Sequence, residues 1–283
     1  MLAILGGLGA AAAWAVSILC SSRSSRMIEP MAVVAWVMLV GLVITLPLAA
    51  ATGVPSNLHG APLVWLVLGG AGNVAGLVAN YGALRIGQVS LVAPLVSTEG
   101  AIAAIISVLA GQTLGVAVGV TLLVIAVGVG LASVPSPDLA VHDAARHPAA
   151  VALAVLAAMA FGGSLYATGR AGAVLPASWV VLSARAIGVV ALALPLAMAG
   201  RLRLTARAVP LVIASGVCEV AGFFSYTLGS RHGLAIAAVL SSQFAVLALA
   251  ASYVLFGERL SRVQLAGVVC VVVGVAVLSA LRA

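Results

Sequence analysis

Charged residues are scarce in this chain of 283 residues. They make up 7% of it, whereas a typical soluble domain contains about 25%. Apolar residues make up 64%, and so few charges do not cover the surface of a soluble fold of this size. The composition therefore excludes a soluble globular protein and predicts an integral membrane protein with almost nothing outside the bilayer.

Lysine is absent altogether, and the net charge of +7 comes from thirteen arginines. In a soluble protein this basic balance would suggest a nucleic-acid partner. Here the arginines are scattered at the ends of apolar stretches, where membrane orientation and anionic lipid headgroups favour them. We therefore expect the lipid bilayer, and no nucleic acid, as the partner of this charge.

Signatures of metal binding and catalysis are also missing. The three cysteines are widely spaced within apolar runs and do not have the spacing of a metal or redox site. A phosphate-binding GxxxxGK[ST] loop is lacking, which argues against an ATP motor on this chain. The four histidines lie in predicted loops or at the ends of apolar runs. The sequence thus predicts no cofactor, no metal and no catalytic residue, and we expect that the protein is not an enzyme.

Long apolar runs are what the chain has in abundance. A membrane-spanning helix needs roughly 20 apolar residues, so a chain of this length holds about ten of them joined by short turns. The first run lacks the basic start of a signal peptide, and we expect it to be retained as a helix. The predicted spans are 2–20, 31–51, 62–83, 89–110, 114–134, 149–170, 177–199, 208–229, 234–256 and 262–281.

The chain repeats itself at an offset of 146 residues, which brings Arg85 onto Arg231 and Gly111 onto Gly257. Each half then holds five predicted spans, and this odd number makes the second half enter the membrane from the opposite face. Inverted repeats of this kind are common among secondary transporters. The sequence therefore predicts an all-α integral membrane protein with ten transmembrane helices in two inverted five-helix repeats, 1–134 and 149–283, joined by a linker at 135–148.

The most specific tract, FGERLSRVQLAG at 256–267, joins the last two predicted helices, and a weaker copy, GQTL, lies at 111–114. Together with the five plus five spans, these residues resemble the EamA-type ten-helix branch of the drug/metabolite transporter (DMT) superfamily over essentially the whole chain. The first half departs from the pattern: Gln112 replaces the usual Glu, and helix 2 lacks the Arg that helix 7 keeps as Arg185.

The resemblance implies substrate export or exchange by alternating access. It also implies a central cavity lined largely by helices 1, 3, 4, 6, 8 and 9. Members of the superfamily move amino acids, nucleotide sugars, cationic drugs and other metabolites, so membership does not name a substrate.

Two of the six acidic residues, Glu99 and Glu219, lie at the centres of predicted helices 4 and 8. A carboxylate persists in the membrane only where it faces protein or a wet cavity. Such a carboxyl could bind a proton and a cationic substrate in alternation; the competing interpretation is a structural ion pair or hydrogen bond. Arg185 could neutralise either carboxylate or bind a substrate carboxylate, or it could snorkel to the membrane surface.

Further polar side chains gather at matching depths of helices 3, 4, 8 and 9, where they could line the cavity or hold helices together. They are Asn73, Asn80, Tyr81, Ser97, Tyr226 and Gln243. Trp14 in helix 1 and Tyr166 in helix 6 lie deep enough to line the same cavity and to hold an organic cation. Ordinary packing is the other interpretation of these two aromatic residues.

The arginines also predict an orientation. Alternate loops place nine of them on one side of the membrane, which we name the arginine-rich face, and three on the other. The positive-inside rule makes the arginine-rich face cytoplasmic and puts both termini outside, whereas members of the resembling family more often have cytoplasmic termini. The arginine-rich face holds Arg23, Arg26, Arg85, Arg146, Arg201, Arg203, Arg207, Arg259 and Arg262, and the opposite face holds Arg170, Arg231 and Arg282.

These observations together predict a multi-pass secondary active transporter of the cell inner membrane. It exports or exchanges a small polar or amphipathic metabolite, such as an amino acid, amine, nucleoside or drug-like compound, coupled to protons. The expected partners are the small-molecule substrate, the lipid bilayer and protons, and the protein is expected to be a monomer or homodimer. The alternatives are a passive channel or facilitator and, with less support, an intramembrane lipid-modifying enzyme.

Overall fold

Helices are the only regular elements in the part of the chain that the computed structural model describes, which comprises residues 1–86, 92, 95–133, 148–247 and 261–281. The first repeat contributes α1 (Leu2–Ser24), α2 (Pro30–Thr52), α3 (Ala61–Ile86), α4 (Glu99–Leu109) and α5 (Val116–Ser133). The second contributes α6 (Pro148–Gly172), α7 (Ala177–Met198), α8 (Val209–Ser230), α9 (Leu234–Ser241) and α10 (Arg262–Ala280).

Six of these helices, α1, α2, α3, α6, α7 and α8, are long and apolar enough to cross a membrane. The other four, α4, α5, α9 and α10, are shorter apolar helices within the described ranges. Each of the ten predicted spans overlaps one of the ten helices in the described ranges. The predicted all-α membrane fold is thereby confirmed.

Proline and glycine divide the uncharged stretch between Pro30 and Leu84 into two helices, as the sequence predicts. Pro30 is the first residue of α2, a position where the missing N–H of proline is not needed. Gly53 ends this helix with φ 69°, a left-handed conformation that glycine adopts without strain. The short segment that follows returns the chain into α3.

Proline also marks an irregularity in α7. A π-helical turn at Val189–Ala193 precedes the last turn, Leu194–Met198, which contains Pro195. Proline removes a helical hydrogen bond and crowds the preceding turn, so a local change of helix type at this point is expected. Pro47 lies inside the uninterrupted α2, and Pro94 lies outside the described residues.

The packing of the helices repeats when the two halves are exchanged. α1 packs on α8, and the counterpart pair, α6 and α3, packs in the same way. α1 also contacts α9 as α6 contacts α4, and each of α2 and α5 contacts its own counterpart, α7 and α10. The first helix of each half is thus inserted against the third helix of the other, so the two repeats interlock around a pseudo-two-fold axis.

Two counterpart helices are interrupted at matching positions. Ser97 and Thr98 form a turn just before α4, and Ser242 and Gln243 form a turn just after α9. Hydroxyls beside both turns bond to main-chain carbonyls of the preceding turn, in competition with the helical ladder. Glu99, predicted at the centre of a continuous helix, is therefore the first residue of α4.

The two interruptions face each other across the contact between α4 and α9. A methyl group at Gly100 would overlap both the Ser242 hydroxyl and the Ala238 carbonyl. Only glycine allows this approach of the two backbones. The contact brings the two helix ends, with Glu99 beside Gly100, to one place in the interior of the protein.

Candidate functional site

Arg185 and Glu219 form an ion pair in the middle of the helical bundle. Arg185 is fully buried, and its Nη2 lies 3.5 Å from Oε2 of Glu219. The Nη1 atom lies 3.3 Å from Sδ of Met38, and the guanidinium carbon lies 4.5 Å above the centre of the Phe223 ring. These contacts enclose the guanidinium on several sides, so Arg185 does not snorkel and serves as the counter-charge of Glu219.

Gly41 makes room for the Arg185 side chain. A methyl group at position 41 would lie 2.7 Å from Cδ and 3.2 Å from Cγ of the arginine. The α2 backbone therefore approaches the aliphatic part of Arg185 as closely as packing allows. α2 and α8 together fix the position of the guanidinium at the ion pair.

Three serines extend the polar site along the crossing of α1 and α8. Ser17 donates to Oε1 of Glu219 at 3.2 Å. The hydroxyls of Ser17 and Ser215 are 2.8 Å apart, and those of Ser215 and Ser21 are 2.7 Å apart. None of the three serines is among the predicted site residues. Polar residues spaced by four on both apolar helices, at 17 and 21 and at 215 and 219, are a signal that could have found them.

Glu99 is buried, with 6% exposure, at the start of α4. Its carboxyl makes neither a hydrogen bond nor an ion pair with any described residue. It lies close enough to Glu219 and to Tyr226 to interact with both electrostatically. The two predicted carboxyls thus lie within electrostatic reach of each other, and among the described residues only Glu219 has an arginine partner.

Two buried amide side chains also lack partners. Both amide atoms of Gln243 and the Nδ2 of Asn73 are buried and have no hydrogen-bond partner among the described residues. Gln243 lies in the turn after α9, next to the contact with α4, and Asn73 lies on α3. An unsatisfied buried polar group is costly in a protein, so these amides are available to a bound molecule. Ser97, the counterpart of Gln243 in the repeat, is buried in the turn before α4.

Trp14 packs in an aromatic cluster on α8. Its ring centre is 5.3 Å from that of Phe223, with the two planes at 68°, and 6.3 Å from that of Tyr226. The hydroxyl of Tyr226 donates to the Leu165 carbonyl at 2.7 Å, whereas the buried Nε1 of Trp14 has no partner in the part of the chain that the structure describes. Tyr226 is therefore already satisfied, and Trp14 retains a free donor near the ion pair.

The remaining predicted residues lie at different distances from the pair. Tyr166 packs edge-on against Trp65, with ring centres 5.7 Å apart, so the structure places it in a different aromatic cluster from Trp14. Asn80 and Tyr81 are half-buried on α3, and Tyr81 interacts electrostatically with Glu219. Residues 256–260 of the FGERLSRVQLAG tract lie outside the described residues, and the described ranges contain no cluster of His, Cys, Asp and Glu that could hold a metal ion.

The model of the EamA-like transporter family matches residues 1–134 and again residues 148–280. The chain belongs to the EamA-like transporter family. This family is part of the DMT superfamily, as the sequence resemblance implies. EamA-like proteins are transporters, and this one is a multi-pass membrane protein that transports small solutes.

The EamA-like fold is also found among solved structures. A protein known from a crystal structure has a TM-score of 0.80 to this chain, with 20% identity over 99% of this chain and 96% of the other. At this identity the likeness shows the fold alone. No curated protein matches the chain.

Proposed function

We propose that this EamA-like protein is a proton-coupled secondary active transporter of the cell inner membrane. It exports or exchanges a small polar or amphipathic metabolite by alternating access. The observation that supports this most is the buried carboxyl of Glu99, which has no ion-pair partner among the described residues and interacts electrostatically with Glu219 of the ion pair. Ionisable residues inside a membrane are costly, and they commonly mark substrate and proton pathways.

The charge of the site favours cations. With both carboxyls ionised, Glu99 and Glu219 carry one negative charge more than Arg185 compensates. Either a proton or a cationic substrate restores neutrality, and the two exclude each other at the same carboxyl. Binding in alternation then drives the substrate in one direction while protons move in the other.

Neighbouring groups add recognition of the neutral part of a substrate. The free amides of Gln243 and Asn73 offer hydrogen bonds, and the ring of Trp14 offers an aromatic face to a cation. Arg185 is enclosed by Met38, Phe223 and Glu219, so it positions Glu219 and does not bind a substrate carboxylate. An amine or another organic cation suits this set of groups better than an anion does.

Alternating access is supported by the interlocked repeats. Discontinuous helices at a repeat interface are a recurring feature of secondary transporters, and the interruptions before α4 and after α9 face each other next to Glu99. We propose that repeats 1–134 and 149–283, joined by the linker 135–148, rock about this contact. Rocking would open the site to each side of the membrane in turn.

The test is transport by the purified protein in liposomes under an imposed pH gradient. Counterflow of amines, amino acids and nucleosides is compared between the wild type, Glu99→Gln and Glu219→Gln. Gradient-driven flux is expected to be lost in both variants and retained in Glu29→Gln, a matched control whose carboxyl pairs with Arg201 at the surface. Full gradient-driven flux in both site variants would contradict the proposal, and flux that does not saturate would favour a channel.

A further inference from the structure

A chain of hydroxyl groups runs from the arginine-rich face towards Glu219. Ser21 is half-buried and lies three residues from the end of α1, or about 5 Å from that end at 1.5 Å per residue. Glu219 lies ten residues into α8, or about 15 Å from its start. Ser215 and Ser17 connect the two through the O···O distances of 2.7, 2.8 and 3.2 Å given above.

Every member of the chain can pass a proton on. A hydroxyl is both a donor and an acceptor, and its hydrogen rotates to suit its neighbours. At both serine–serine contacts either oxygen can be the donor. When a proton arrives at Ser21, each hydroxyl accepts one proton and gives up its own. The proton that leaves Ser17 ends on Glu219, and each serine is neutral again.

The carboxylate of Glu219 is oriented to receive the proton from Ser17. Oε1 of Glu219 accepts from Ser17, while the guanidinium of Arg185 contacts the other oxygen, Oε2. Within the described ranges, the other titratable groups that interact with Glu219 are Glu99 from α4, Tyr81 from α3 and Cys218 from its own helix. Only Ser17 among the described residues donates a hydroxyl hydrogen bond to Glu219.

The described residues of the symmetry-related crossing, between α3 and α6, form no such chain. At the offset of 146 residues, Ser17 corresponds to Gly163, Ser215 to Gly69 and Glu219 to Asn73. The hydroxyl of Ser164 at that crossing donates to the main-chain carbonyl of Gly69 at 2.6 Å. Packing alone therefore does not require the hydroxyl chain, since the same crossing forms without it.

We propose that Ser21, Ser215 and Ser17 form a proton relay between the arginine-rich face and Glu219. The relay rests on the proton coupling proposed above. Because the arginine-rich face is predicted to be cytoplasmic, the relay gives Glu219 a proton exit to the cytoplasm. The serines then determine the rate at which Glu219 gains or loses its proton, and not its affinity for substrate.

The relay is tested by the protonation rate of Glu219 in the full-length protein in liposomes. A light-released proton starts the reaction, and the infrared band of the protonated carboxyl, assigned by its loss in Glu219→Gln, reports the rate. Ser215→Ala and Ser17→Ala are each expected to slow this rate about tenfold or more. Ser215→Thr, which keeps the hydroxyl, and Ser164→Ala, the matched control at the related crossing, are expected to retain it.

An unchanged rate in both serine-to-alanine variants would overturn the relay, as would an equal slowing in Ser164→Ala. Absence of a Glu219 band on acidification would overturn it too, since protons then do not reach this carboxyl. Proton coupling itself is measured in a separate experiment, the gradient-driven counterflow of the wild type. A wild type without such flux contradicts the proposed function, even if the relay delivers protons to Glu219.

Discussion

Gly41 on α2 lies against the side chain of Arg185, so close that a methyl group at this position would be 2.7 Å from Cδ of the arginine. Substitution by Ala forces the buried guanidinium away from Glu219. We expect Gly41→Ala to lower the free energy of unfolding by about 1–3 kcal/mol, as overpacking of a core does, and to reduce transport. Thermal unfolding in detergent measures the first effect and counterflow in liposomes the second.

Gly163→Ala is the matched control for this prediction. Gly163 also lies inside a membrane helix, but a methyl group there would meet nothing within 4 Å. Alanine is a better helix former than glycine, so this variant is expected to be as stable as the wild type or more so. Equal stability of the two variants would show that Gly41 does not constrain Arg185.

Because Arg185 and Glu219 form an ion pair, the effects of substituting them on the free energy of unfolding are expected to be strongly non-additive. The Arg185 side chain is fully buried, whereas that of Glu219 is 23% exposed. Removing Glu219 therefore leaves a buried charge uncompensated, which costs about 3–5 kcal/mol in a buried pair. We expect Arg185→Met and Glu219→Gln each to destabilise the protein strongly. The double variant is expected to be more stable than Glu219→Gln alone, because no buried charge is then left unpaired.

The pair of Arg201 and Glu29 provides the control for the coupling. Both side chains are substantially exposed, and surface ion pairs contribute roughly 0–1 kcal/mol. Arg201→Met is therefore expected to change the thermal unfolding temperature little. Additive effects of the two buried substitutions in the double variant would contradict the ion pair described above.

Substitution of Gln112 is predicted to have a local effect, on the side of the protein opposite the arginine-rich face. Its Oε1 accepts from the main-chain N–H of Ala235 at 3.3 Å and from the Ser107 hydroxyl, so it joins the loop after α4 to the first turn of α9. Loss of a helix N-cap acceptor costs about 0.5–2 kcal/mol. We expect Gln112→Ala to speed hydrogen exchange of the Ala235 amide about fivefold or more.

Gln112→Glu separates this role from a general loss of packing. The glutamate keeps an acceptor oxygen at the same position, and the helix N-terminus favours its negative charge. Exchange of the Ala235 amide is therefore expected to remain slow in this variant. Fast exchange in the glutamate variant, or slow exchange in the alanine variant, would contradict the capping role.

The sequence predicted the helices well because hydrophobic length determines them. Each apolar run of roughly 20 residues has to cross the bilayer as a helix, since backbone groups in lipid have no other partner. The interruption before Glu99 was not predicted, although Ser97 and Thr98 precede it. Serine and threonine hydroxyls also bond to main-chain carbonyls within continuous helices, so these residues alone do not indicate a break. The repeat boundaries at 134 and 149 and the linker between them remain predictions.

Within the site, the pairing of charged side chains was easier to predict than the direction in which the aromatic and serine side chains point. Arg185 is the single arginine in the interior of a predicted span, away from its ends, and Glu219 is one of two acids there. Their pairing was therefore among the few arrangements available. Tyr166 was predicted to line the same cavity as Trp14, but it packs on Trp65. The sequence did not indicate this, because a helix that is apolar all round does not show which face turns inward. Ser17, Ser21 and Ser215 were missed because serine is common at membrane helix contacts for packing alone.

The exchange of a proton for a cation at Glu99 is the central claim, and proton release on binding tests it most directly. The purified protein in weakly buffered detergent is mixed with the substrate found by counterflow, and a pH-sensitive dye follows the protons. The wild type and Glu29→Gln are predicted to release a proton as the cation binds, and Glu99→Gln to bind the cation weakly without release. Undiminished binding and proton release by Glu99→Gln would contradict the account.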